Sequence, residues 1–147
     1  MIESYEVDLI LHPGTDHPSD IFEAWSDVLE ASDAEVVVPP PDTRIQLGGE
    51  VYLDVLHAGL PAWSKDSNDG SIVLRLGYKD VSFLLTGDIN SATELELMRS
   101  GRQLRSTVLK VPHHGSNGSS ASEFLLTVDP AISVITVGDR NPFGHPH

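Results

Sequence analysis

The spacing of apolar positions changes several times along this chain, and each change predicts an element. "VDLILH" at 7–12 is a short apolar run of strand length. From about Asp20 to Ala31 the pattern becomes helical: Ile21, Phe22, Trp25, Val28 and Leu29 share one face, and Asp20 with Glu23 has capping-box spacing. "EVVVPP" at 35–40 predicts a strand stopped by its prolines, and "VYLDVLHA" at 51–58 predicts another after the turn at Gly48-Gly49. The stretch "GLPAWSKDSNDG" at 59–70 is a loop by composition. "SIVLRLGY" and "VSFLLTGD" then flank Lys79-Asp80 as a hairpin.

Beyond residue 81 the pattern is β-α-β-α-β. A helix over "SATELELMRSG", opened by a Ser91/Glu94 box and closed by Gly101, leads to the strand "TVLKVP". "SSASEFLLTV", with Ser120/Glu123 as its box, is a second helix, and "AISVITVG" is the last strand. Strands alternating with helices predict parallel neighbours joined by right-handed crossovers, with all their carboxyl ends on one edge. Asp88 lies just past the first of those ends, His113 and His114 past the second, and His145 in the loop after the third. Residues distant in sequence are therefore expected to meet.

Composition limits what such a meeting can do. There is no cysteine, so any metal must rest on His, Asp and Glu, the ligand set of Zn, Mn or Fe. Asp88 has two oxygens and is the natural bridge between two cations. One of the adjacent His113 and His114 is expected to ligate while the other donates to a neighbour or meets substrate. Gly115 allows a close backbone approach, and the Ser/Asn-rich turn after it leads to a helix N-terminus suited to a phosphate. Taken singly, each feature has a plainer reading: a turn aspartate, a surface "GHPH", and turn or capping roles for Ser116, Ser119 and Ser120. No G-x-S-x-G elbow supports a serine nucleophile. The net charge of −13, from 22 acids against 9 bases, is not that of a phosphate-binding surface built on Lys and Arg. It fits either ordinary solubilising charge or adaptation to high salt. No stretch approaches the roughly 20 apolar residues of a membrane span.

Three blocks, "SIVLRLGYKDVSFLLTGDINSATELELM", "VLKVPHHGSNGSSASEFLLTVDP" and "VGDRNPFGHPH", carry a resemblance to the metallo-β-lactamase-like domain of the ComEC competence-protein family, strongest over residues 50–147. The resemblance implies an α/β fold, an αββα sandwich of which residues 1–147 form a partial domain: the second half and part of the middle. It implies a metal centre that hydrolyses phosphodiesters, with a role in degrading the DNA strand that is not imported. Carried over, Asp88, His113 and His114 are metal ligands, and Asn141, Phe143, Gly144 and His145 form the last motif. Zn or Mn is expected, two ions in a complete domain, with Asp88 bridging them and helping to activate a water for in-line attack on phosphorus. Mg is the weaker expectation, because it prefers oxygen ligands. His145 contacts a phosphate oxygen or protonates the leaving group.

The H-x-H-x-D-H motif that opens such domains is not intact. "HPGTDH" keeps His12, Asp16 and His17 but has Gly14 at the second His, and is read here as a chance match. A half sandwich leaves a sheet face open, so the missing half or a second copy is the expected partner, alongside a nucleic acid or other phosphodiester as substrate. Two alternatives remain: an inactive remnant serving as a binding or assembly module, and a same-fold hydrolase of another ester. With so acidic a chain, self-repulsion should weaken the fold at low ionic strength. The melting midpoint is expected to rise between low and molar salt; an unchanged midpoint leaves only solubilising charge.

Overall fold

The computed structural model describes residues 4–147, and its elements follow the alternation read above with one addition. A parallel pair, β1 (Leu9–Leu11) and β2 (Glu35–Val37), is linked by helix α1 (Asp20–Glu30). A six-stranded sheet follows in sequential order: β3 (Arg44–Gly48), β4 (Val51–His57), β5 (Val73–Tyr78), β6 (Val81–Leu85), β7 (Val108–Lys110) and β8 (Ile132–Val134). β3 to β6 are antiparallel; β6, β7 and β8 are parallel, with α2 (Ser91–Arg99) and α3 (Ser122–Val128) as their crossovers. The chain is thus mixed α/β, with a six-stranded sheet and three helices. No helix among the described residues is long and apolar enough to cross a membrane.

β3 escaped the apolar pattern because side-chain pairing stabilises it. Arg44 grips Asp54 of β4 with Nε and Nη2 at 2.6 and 2.9 Å, and its guanidinium lies 4.1 Å over the Tyr52 ring.

The core lies on the sheet face that the crossover helices cover. Leu84 of β6, Leu109 of β7, Leu97 of α2, and Phe124 and Val128 of α3 form one cluster with Leu56, Val73, Ile89 and Leu104. Each large side chain buried there contributes about 1.5–3 kcal/mol. The opposite face is apolar and open. Register places Phe83, Val108 and Ile132 side by side, then Leu85, Lys110 and Val134; Phe83 and Leu85 are each 37% exposed and Ile132 is 57% exposed.

Helix ends differ from the sequence expectations, and in each case a tertiary or neighbouring group takes the role. α1 is capped by Ser19, whose Oγ accepts from the Phe22 N–H, rather than by an Asp20/Glu23 box. Ile21 points to solvent, while Phe22, Trp25, Val28 and Leu29 are half-buried. α2 is preceded by Asn90 rather than opened by Ser91, and its Glu94 is fully buried and turned toward α3. The Glu94 carboxylate accepts the N–H groups of Ser120 and Ala121 at 2.5 and 2.9 Å. The Ser120/Glu123 box is therefore absent, the Ser120 hydroxyl has no partner among the described residues, and the Glu94 carboxylate stands at the start of α3.

Burial raises the Glu94 pKa above the ordinary carboxylate value, against the two N–H bonds that lower it. Because the folded pKa is raised, the protonated form favours folding: this contribution is present below about pH 4.5 and is lost as pH rises through the folded pKa. The stability of the unaltered protein relative to Glu94→Gln should therefore fall as pH rises from about 4.5 toward 7. Glu94→Ala, which leaves two helix-start N–H groups without acceptors, should cost about 1–3 kcal/mol. Chemical denaturation of the three proteins across that pH range checks both.

Candidate functional site

The carboxyl ends of β6, β7 and β8 bring four sequence-selected residues together, and each is oriented by backbone it could not choose alone. At the end of β6, the buried Thr86 hydroxyl donates to the Lys110 carbonyl at 2.8 Å, extending the β6–β7 contact past the last ladder pair. Gly87 then turns with φ +59, and a Cβ there would sit 2.5 Å from Ser71 Cβ. That turn presents the Asp88 N–H to Ser71 Oγ at 3.0 Å and frees the carboxylate to face β7. Lys110 Nζ donates to the Gly87 carbonyl at 2.7 Å and to Asp88 Oδ1 at 3.2 Å.

After β7, His113 and His114 both adopt left-handed backbone, with φ 47 and 54, and Gly115 follows at φ 78. For residues with a Cβ this costs about 1–3 kcal/mol each. It aims the two rings in different directions. His114 Nδ1 lies 2.5 Å from the Thr136 carbonyl, which can only accept, so Nδ1 carries the proton. Its Nε2 faces Asp88 Oδ2 at 3.5 Å. His113 has its N–H on the Gly87 carbonyl at 3.3 Å and its Nδ1 at 3.3 Å from Asn90 Oδ1.

The third loop closes over the second. Asn141 clamps His145 by its backbone, accepting the N–H and donating to the carbonyl, both at 2.9 Å. The His145 ring stacks on Phe143 at 5.7 Å and meets His113 and His147 edge-on at 5.8 and 5.2 Å. The His147 N–H returns to the Gly115 carbonyl at 2.9 Å, and a Cβ on Gly115 would meet Pro146 Cβ at 2.8 Å, the close approach that a glycine there allows. Desolvation lowers the His145 pKa below the ordinary imidazole value, and the nearby imidazoles of His147, His113 and His114 add to that.

The four residues thus lie at one sheet edge in two pairs, Asp88 with His114 and His113 with His145. Their chemistry fits one cation better than two. With His114 Nδ1 protonated, the Nε2 lone pair and Asp88 Oδ2 are acceptors facing each other at 3.5 Å, a gap that a cation could bridge. Oδ1 is held by the Lys110 ammonium, so Asp88 bridges a second cation only if Lys110 lets go. Among the described residues, no three His, Asp or Glu side chains come together in a geometry that would hold a metal. His12 is otherwise engaged: its ring stacks on Trp25 at 4.9 Å and its Nδ1 accepts the Gly14 N–H. The "HPGTDH" segment nonetheless packs near the site, since a Cβ on Gly70 would lie 3.5 Å from Thr15 Oγ1.

No family model matches the chain. It is 39% identical over 80 residues to ComE operon protein 3 of Bacillus subtilis (strain 168), covering 54% of this chain and 10% of that protein. It is 40% identical over 82 residues to Competence protein ComA of Neisseria gonorrhoeae, covering 55% and 12%. It is 33% identical over 84 residues to Recombination protein 2 of Haemophilus influenzae, covering 57% and 10%. The chain is similar to competence proteins. It spans about a tenth of the length of these relatives.

Lys110, Ser71, Asn90 and Thr136 were not singled out from the sequence. Lys110 had a signal: a lone lysine in the apolar strand "TVLKVP". The Thr136 contact is made by a carbonyl, which no residue type announces. Gly87→Ala should lower the melting midpoint by several degrees, because the methyl both meets Ser71 and forces φ > 0 on a residue with a Cβ, while Gly138→Ala, with open space around it, should leave the midpoint unchanged. Thermal unfolding of both variants measures this.

Proposed function

We propose that these residues belong to a metal-dependent phosphodiester hydrolase of the metallo-β-lactamase kind, working on DNA in uptake by competence-type proteins. One observation carries the reading: the Thr136 carbonyl keeps the His114 Nε2 lone pair directed at Asp88 Oδ2, the arrangement that prepares a histidine to ligate a cation beside a carboxylate. Asp88 and His114 would hold a divalent Zn or Mn ion there, which would supply a nucleophilic water at neutral pH and locally offset the charge of −13 against a phosphate substrate. Asp88 and His114 bind; Lys110 fixes the Asp88 carboxylate and brings a positive charge beside it. His145, its backbone held by Asn141, offers a ring N–H to a phosphate oxygen. The similarity to one protein named for competence and another named for recombination supports DNA as the substrate class.

The open apolar face of the six-stranded sheet supports the fold part of this reading. Phe83, Leu85, Ile132 and Val134 form the surface that a second sheet covers in an αββα sandwich. A first half of the domain or a second copy of the chain is the partner of that face.

A second reading rests on its own observation. The absence of a third converging ligand among the described residues, with Gly14 where a histidine would complete H-x-H-x-D-H, favours a binding or assembly module without turnover. Cleavage of single-stranded DNA and of a chromogenic phosphodiester, with Mn²⁺ or Zn²⁺ added, separates the two. The hydrolase reading expects metal-dependent cleavage that falls by about 100-fold or more in Asp88→Asn. Undiminished cleavage in that variant removes Asp88 from the chemistry, and no cleavage with either metal leaves the binding module.

A further inference from the structure

We propose that Asp66 and Asn90 are positioning residues that hold His113 as its Nδ1–H tautomer, with the Nε2 lone pair left for the site. The importance of that lone pair rests on the hydrolase reading above; the tautomer itself does not.

Two contacts determine the proton's place. Asn90 Nδ2 lies 2.8 Å from Asp66 Oδ2. A carboxylate accepts and cannot donate, so the amide must turn its NH₂ toward Asp66 and its carbonyl away. That carbonyl oxygen, Oδ1, is the atom 3.3 Å from His113 Nδ1. An amide oxygen also only accepts, so the neutral ring carries its hydrogen on Nδ1. Each end of the relay is anchored independently. Asp66 Oδ1 accepts the Asn68 N–H at 3.0 Å, and the Asn90 N–H lies on Oδ1 of the buried Asp69 at 3.3 Å. Asp69 in turn receives the hydroxyls of Thr93 and Ser64 at 2.8 and 2.6 Å, tying the 64–70 loop to the first turn of α2. The loop that composition marked only as polar thus sets the protonation pattern of a ring on another loop.

The consequence concerns both histidines. His114 is held as Nδ1–H by a backbone carbonyl, and His113 by a side-chain relay. Both then present Nε2 as an acceptor, so the pocket receives a cation or a donor and not an acceptor.

Long-range ¹H–¹⁵N spectra of histidine-labelled protein at about pH 8, above the ordinary imidazole pKa of about 6.5, report tautomers directly and need neither metal nor substrate. Expected are Nδ1–H patterns for His113 and His114 in the unaltered protein. Asn90→Ala should switch His113 to the Nε2–H pattern and leave His114 unchanged. The exchanged pair Asp66→Asn/Asn90→Asp, which keeps a donor facing a carboxylate and an acceptor facing Nδ1, should restore it. An Nε2–H pattern for His113 in the unaltered protein, or an unchanged pattern in Asn90→Ala, overturns the relay. Cleavage by the same proteins should drop about tenfold in Asn90→Ala and recover in the exchanged pair. A switched tautomer with undiminished cleavage overturns the positioning role. If no protein cleaves, the hydrolase reading fails while the spectra still decide the relay.

Discussion

The Asp88 carboxylate divides its two oxygens between the Lys110 ammonium and the His114 imidazole, and most of the site's local structure serves that division. Gly87 must turn left-handed to put the carboxylate there, Ser71 must receive the Asp88 N–H, and the Thr86 hydroxyl must tie β6 to β7 so that Lys110 comes alongside. Strain at His113 and His114 is tolerated because the surrounding hydrogen bonds over-determine it.

This constraint shapes how the site relates to the sheet. Parallel pairing of β6, β7 and β8 places three loops on one edge. The helices joining those strands bury one face with Leu84, Leu109, Leu97 and Phe124, so the loops stand on a packed scaffold. Glu94 illustrates the economy of that arrangement, since one buried carboxylate on α2 starts α3 and thereby fixes where the loop from His113 to Ser120 ends. The same scaffold leaves its other face apolar and open, with Phe83 and Ile132 in register across it. A stable sheet in water covers such a surface.

Polar groups around the site are arranged as chains of single-purpose partners. The Thr136 carbonyl and the Asn90 amide oxygen each face one histidine Nδ1, Asp66 can only accept from Asn90, and Asn141 holds the backbone of His145. Such directional restriction leaves His113 and His114 with one nitrogen each for whatever binds.

By itself the sequence determined the alternation of strands and helices after residue 50, the Lys79-Asp80 hairpin, and the placing of Asp88, His113, His114 and His145 past strand ends. These depend on hydrophobic period and turn chemistry, which are local. It did not determine β3, whose pairing rests on an Arg44–Asp54 contact, nor the helix caps at Ser19 and Glu94, nor the separate orientations of two adjacent histidines. Lys110 reaches Asp88 across 22 residues, Asn90 meets Asp66 across 24 and His113 across 23, and Glu94 meets Ala121 across 27. Hydrogen bonds act over about 3 Å between groups whose separation along the chain carries no periodic signature, so only the folded backbone could decide which donor met which acceptor.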